Sequence, residues 1–218
     1  MLKYVLVLVA GLVAAMGCNA QEHAREWKAG ADYFLIDPPQ PTATGGDKIE
    51  VLEVFSYACP HCAHFQPYAE ELKSKLPPNA KFALLPAVFQ PAWEPFARAF
   101  YTAKSLGVLD KTHQALFDAI HRDRQPLHTI EDLANLFYSN YGVNPASFLS
   151  TATSFVIEGE LAHGNDLVRD YHVDATPTLI VNGKYRVTGL SERGIGFPEM
   201  VEIALDLVKQ ESAKKAHK

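Results

Sequence analysis

Residues 56–65, SYACPHCAHF, place Cys59 and Cys62 three apart with Pro60 and His61 between them, directly after the β-branched and aromatic run IEVLEVFSY. A C-x-x-C pair can be a structural bridge, half of a metal site, or two thiols built to react. A bridge closing four residues constrains the unfolded chain little, so it is a poor staple. A tetrahedral zinc site that used the pair with His61 or His64 would need ligands from another segment, and no second C-x-x-C or H-x-x-x-H is present. Redox chemistry is the favoured reading.

Placement strengthens it. The run 49–57 reads as a buried strand, and residues 60–76 read as a helix, with Pro60 at a favoured first-turn position and Pro77-Pro78 as the stop. Cys59 therefore sits where strand passes into helix. Its sulfur meets unpaired N–H groups and the positive end of the helix dipole, which favour a thiolate and mark it as the attacking, exposed sulfur. Cys62, one turn on and inside the helix, is expected to be shielded and to act as the resolving thiol. His61 can donate a hydrogen bond or charge to the Cys59 thiolate, stabilising the reduced form and making the disulfide a stronger oxidant. The other histidines, among them His113, His121 and His128, lie in polar helical stretches and need no function.

Composition sets the wider limits. The 218 residues are 48% hydrophobic, enough for one substantial core, and the formal net charge of −5 argues against a general nucleic-acid binder. The only basic cluster is the end, KQESAKKAHK, where residues 212–218 read as a frayed, solvated tail. The start, MLKYVLVLVAGLVAAMGCNAQ, has one cation and then an apolar run too short to span a bilayer, the pattern of a secretory signal peptide over residues 1–20. Two cleavage readings stay open. Ala15-Met16-Gly17-Cys18 resembles a bacterial lipobox, the preferred reading, which would lipidate Cys18; an ordinary A-x-A-like site would cleave after Ala20. In either case the mature globular part keeps only Cys59 and Cys62 as thiols, in a compartment where stray thiols pair.

Further along, Tyr33–Ile36 is a short apolar run before the Pro/Gly-rich DPPQPTATGGD, and Lys81–Phe89 reads as a second strand. From Trp93 to about His163 the signals are helical throughout, with the stripe Trp93, Phe96, Phe100 as core. TPTLIVNGKYRVTG gives a hairpin around Asn182-Gly183, and MVEIALDLVKQ a closing amphipathic helix. The order is a βαβ unit, an all-helical insertion, then a ββα unit. The expected divisions are 31–90, 91–165 and 166–211.

VLEVFSYACPHCAHF, the helical block containing SLGVLDK, and TPTLIVNGKYRV together resemble the bacterial periplasmic DsbA-like thiol:disulfide oxidoreductases over nearly the whole mature chain. The resemblance implies an α/β thioredoxin fold interrupted by a helical domain. It also implies an enzyme that donates its own disulfide to newly exported, reduced proteins, is reoxidised by a membrane quinone-linked partner of the DsbB type, and works as a monomer without cofactor or metal. By the same resemblance, the Thr176–Pro177 peptide is cis and faces the cysteines, leaving the Thr176 backbone free to pair with an extended substrate strand. The family often has valine at the position of Thr176, whose hydroxyl adds a donor for the thiolate and so bears on oxidant strength. Glu53 falls inside an apolar central strand. A buried carboxylate needs a partner or a task; the family places an acidic residue here, beside a lysine from the next strand whose position Lys81 matches. Glu53 is read as a proton relay for Cys62, ahead of a plain buried ion pair, while Lys81 could equally begin an exposed strand. A periplasmic reductase or isomerase is the runner-up, and a holdase or metal-binding module the more remote alternative.

Overall fold

A computed structural model of the chain describes residues 25–46 and 48–216. A five-stranded sheet is built from β1 (Phe34–Leu35), β2 (Ile49–Phe55), β3 (Ala80–Pro86), β4 (Thr178–Val181) and β5 (Tyr185–Thr188), in the spatial order β1-β5-β4-β2-β3. Strand β2 pairs in parallel with β3 and antiparallel with β4. All seven of its residues are buried, which explains why it reads as a continuous apolar run instead of an alternating one. Helix α1 (Pro60–Lys75) makes the β2–β3 crossover. The β4–β5 hairpin turns at Asn182-Gly183, both at positive φ (54° and 66°), the backbone that this dipeptide supplies most easily.

The insertion comprises α2 (Glu94–Ser105), α3 (Leu109–Phe117) with a π-helical extension at Asp118–Arg122, the single turn α4 (Ile130–Asp132) continued by a π segment at Leu133–Phe137, α5 (Pro145–Ala152) and α6 (Phe155–Asp170). Helix α6 runs across residue 165, so no break in the chain marks the end of the insertion there. The chain closes with α7 (Phe197–Ala216). No helix among the described residues is long and apolar enough to cross a membrane.

Two cores flank β2. On one face Ile49 and Val51 meet Phe65, Ala69 and Leu72 of α1 and Met200, Ala204 and Val208 of α7. At its C-terminal end the strand delivers Phe55, and beyond it Tyr57, Cys59 and Cys62, into the aromatic core of the insertion with Phe96, Phe100, Phe117 and Tyr138. Edge-to-face contacts of Phe55 with Tyr57 (5.1 Å between centroids) and Phe100 (5.6 Å) stitch sheet to insertion. The reactive pair thus lies at a seam and not on an open surface.

The C-terminal tail departs from expectation. Helix α7 continues through Ala216 because the buried Glu211 gathers Lys214, Lys184, Asn182 and the Tyr185 hydroxyl around its carboxylate. Burial opposes the charge, but these donors hold its pKa down to about 2. Of the tail's lysines, Lys214 thus reaches the Tyr185 hydroxyl of the β4–β5 hairpin, and Lys215 the Gly46 carbonyl.

Candidate active site

Cys59 is the N-cap of α1, with extended backbone (φ −92°, ψ 115°), and Pro60 opens the first turn. Proline is favoured here because its missing N–H would have no intrahelical partner. The segment between strand and helix is a tight turn in which the Ser56 carbonyl accepts from Cys59 N–H at 3.1 Å and Ser56 Oγ from Ala58 N–H at 3.2 Å. Both cysteines are free thiols.

Across from them, the Thr176–Pro177 peptide is cis, and the Cys59 thiol donates to the Thr176 carbonyl at 3.4 Å. Residues 117 positions apart in sequence thus meet at the sulfur. Hydrogen bonding from the Cys62 thiol, opposed by burial and reinforced by the Thr176 side chain and the backbone N–H groups of Cys62 and His61, lowers the Cys59 pKa to about 5. The N–H groups of His61 and Cys62 face the sulfur without closing a full cap hydrogen bond, so they act on it together with the field of the helix. Cys62 is fully enclosed, and burial drives its pKa far upward, aided by Cys59. At neutral pH the pair is one thiolate and one thiol.

Three sequence expectations are corrected. The Cys59 sulfur is not openly exposed: the residue is only 5% accessible, because the insertion core and the Thr176 loop close over it. The ring of His61 is exposed and bonds neither sulfur; His61 acts through its backbone N–H. Lys81 does not accompany Glu53. The β2–β3 register sets it beside Glu50, with Leu84 opposite Glu53, and Lys81 itself is exposed. Since Glu50 and Glu53 are an odd number of residues apart, they point to opposite faces of the strand, and one lysine cannot serve both. Cys18 lies outside the described residues.

Glu53 is wholly buried. Its Oε1 accepts from Gln66 Nε2 at 3.4 Å, and the same amide donates to the Cys62 carbonyl at 3.2 Å; its Oε2 has no partner. Burial raises its pKa to about 8, with Lys73 of α1 as the main opposing charge. The carboxyl is mostly protonated at neutral pH, and Gln66 bridges it to the backbone carbonyl of the resolving cysteine. Sequence reading missed Gln66, because a polar residue on a helix gives no sign that its face is buried. The Glu53→Gln variant should leave the thiolate titration of Cys59 nearly unchanged while slowing the half-reaction that protonates Cys62. Stopped-flow rates for the two half-reactions check this, and equal rates in variant and wild type would leave Glu53 a structural role.

A groove of about 740 Å³ runs along the β3 edge past Lys81, Glu50 and Tyr101, away from the sulfurs. A smaller one of about 510 Å³, lined by Trp93, Phe96, Ile120 and Leu127, begins at Ala58, next to Cys59.

A sequence profile described as "DSBA-like thioredoxin domain" matches residues 50–193, which hold the strand, the C-P-H-C turn, the whole insertion and the cis-proline hairpin. The chain belongs to the DsbA-like thioredoxin family. Relatives named thiol:disulfide interchange protein DsbA are similar over nearly their full length. That of Pseudomonas aeruginosa is 38% identical over 95% of this chain and 97% of its own, and that of Pseudomonas syringae pv. tomato 38% identical over 98% and 99%. Among solved structures, P. aeruginosa DsbA superposes with a TM-score of 0.79 at 38% identity, covering 88% of this chain and 97% of that one. DsbA from Xylella fastidiosa gives 0.77 at 37% identity, over 84% and 96%. Like these DsbA proteins, the chain is a thiol:disulfide oxidoreductase with a thioredoxin fold and a helical insertion.

Proposed function

We propose that the protein works in the oxidising direction, donating a Cys59–Cys62 disulfide to reduced, newly exported proteins. A substrate thiolate attacks Cys59 Sγ and breaks the Cys59–Cys62 bond. The electron pair leaves with the Cys62 sulfur, which takes a proton from Glu53. A second substrate thiolate then attacks the substrate sulfur of the mixed disulfide and expels Cys59 as a thiolate that needs no proton. Two electrons have passed from substrate to enzyme. The Thr176 backbone at the cis-proline is read as the edge that holds the substrate strand.

The observation that carries this reading is the split between the sulfurs. Every pKa unit by which Cys59 lies below 7 stabilises the reduced form by about 1.4 kcal/mol at neutral pH, or about 30 mV for a two-electron couple. A value of about 5 thus makes the disulfide more oxidising by about 60 mV than the same couple with a neutral cysteine at pH 7. The signal-like residues 1–20 and the lipobox-like Cys18 support a periplasmic site with a lipid tether. Reoxidation by a quinone-linked membrane protein of the DsbB type, and a monomeric state, complete the proposal.

Oxidised protein should transfer its disulfide stoichiometrically to reduced, unfolded ribonuclease, and its equilibrium with glutathione should be that of an oxidant. A strongly reducing equilibrium constant would instead make it a reductase. The Cys62→Ala variant should accumulate mixed disulfides through Cys59, and Cys59→Ala none. Equal trapping by both would reverse the roles given to the two sulfurs.

A further inference from the structure

Tyr57, two residues before the reactive cysteine, is held at both ends by histidines of the helical insertion. Its ring is 1% accessible, and its hydroxyl shares a hydrogen bond of 2.8 Å with Nδ1 of the buried His113. Its carbonyl takes a 2.7 Å hydrogen bond from Nε2 of His121. A carbonyl can only accept, so that ring nitrogen carries the proton. The same peptide plane ends at Ala58 N–H, which donates to Ser56 Oγ. Both polar groups of the Tyr57–Ala58 peptide are therefore fixed, one by the turn itself and one by His121, and the following N–H, that of Cys59, is bonded to the Ser56 carbonyl.

The helix carrying these histidines is shaped for the task. His113, Phe117 and His121 recur every four residues, and in a straight α-helix each such step drifts by about 40° around the axis. The π turn at Asp118–Arg122 closes over five residues and winds more loosely, which offsets that drift and keeps the three rings in one column. The column is continuous: His113 to Phe117 is 5.4 Å and Phe117 to His121 6.2 Å between centroids, with the Tyr57 ring 4.9 Å from Phe117.

We infer that His121, with His113 behind it, is a positioning residue for disulfide exchange: the insertion sets the orientation of the peptide leading into Cys59 and so the alignment of its sulfur with the start of α1. The inference rests on Cys59 being the reacting sulfur and does not depend on the direction of electron flow. Loss of the His121 hydrogen bond leaves the Tyr57 carbonyl unpaired and the peptide held only through its Ala58 N–H, so the sulfur is less firmly aligned and the thiolate loses part of its stabilisation.

The test compares wild type, His121→Ala, His121→Gln and Tyr57→Phe by their equilibrium constants with glutathione and by the ultraviolet thiolate titration of Cys59. His121→Ala should move the constant about fivefold toward the oxidised protein, the factor one net hydrogen bond is worth, and raise the titration midpoint correspondingly. His121→Gln, whose amide can donate to the same carbonyl, should stay within about twofold of wild type. An unchanged constant and midpoint in His121→Ala, even with a lowered melting temperature, would overturn the inference, as would a Gln variant as impaired as the Ala one. Should His121→Ala fail to fold, Tyr57→Phe decides: it removes only the hydroxyl held by His113, and a smaller shift in the same direction is expected, with no shift overturning the inference. A wild type that proves reducing would refute the oxidase reading and leave the His121 comparison intact.

Discussion

Replacing Glu53 by Gln should stabilise the reduced protein by about 3 kcal/mol at pH 7 and by almost nothing at pH 4. The folded pKa of Glu53, about 8, lies above the ordinary carboxylate value of 4.5. A group raised in this way contributes stability that is fully present below the unfolded pKa and is lost as pH rises through the folded one. At pH 7 the unfolded chain has released the proton and the folded protein still holds it; the amide never meets this difference. The exchange is close to isosteric, and Gln66 can donate to the amide oxygen as it does to Oε1. The new NH₂ group stands where Oε2 already lacks a partner. Denaturant titrations of both proteins at pH 4 and pH 7 measure the difference. Equal stability at pH 7 would show that water or a cation reaches the carboxyl and that burial does not neutralise it.

Reduced protein should melt above oxidised protein at pH 7, and the order should reverse near pH 4. A bridge closing four residues stabilises by about 1.9 kcal/mol through loop entropy, at any pH. Against it stands the Cys59 thiolate, whose folded pKa is about 5, below an unfolded ~8.5. A group depressed in this way contributes stability that is fully present above the unfolded pKa and is lost as pH falls through the folded one. At pH 7 that still amounts to about 2 to 3 kcal/mol, enough to exceed the loop term by about 1 kcal/mol; at pH 4 it has vanished, and the curves cross at about pH 6. Thermal melts with and without reductant across this range show the crossing. An oxidised form that is the more stable at every pH would mean that the Cys59 thiolate is weakly stabilised.

What could be read in the sequence, and what could not, divides by range. The C-P-H-C turn, the Asn182-Gly183 hairpin and the helix opened by Pro60 are set by neighbours a few residues away, so residue type and spacing reveal them. The partner of Lys81 is set by the register of β3 on β2, which residues far beyond Lys81 decide: the family resemblance suggests Glu53, an exposed strand start is the alternative, and Lys81 stands exposed beside Glu50. His113 and His121 sit among polar helical residues and looked idle; only the packing of the insertion on Tyr57 buries the first and aims the second. The burial of Cys59 has the same origin, since a local reading sees the helix start but not the insertion and the Thr176 loop that cover it.

The insertion also governs when the site exists. Strand β2 takes one neighbour from each side of it: Val51 pairs with Val181, and Cys59 meets Thr176 over 117 residues of intervening chain. Until the last fifth of the chain is in place, β2 has an open flank and Cys59 lacks the Thr176 side chain, one of the several groups that lower its pKa. Closing so long a loop as random chain costs about 4 kcal/mol. A folded insertion, with its own aromatic core and with the starts of α2 and β4 held close to the sheet, returns the chain near its point of departure and removes most of that cost. In the life of a single molecule, the helical block is then the clasp that must set before Thr176 reaches the sulfur, so the last part of the site's chemistry arrives late, once the chain that carries it is nearly complete.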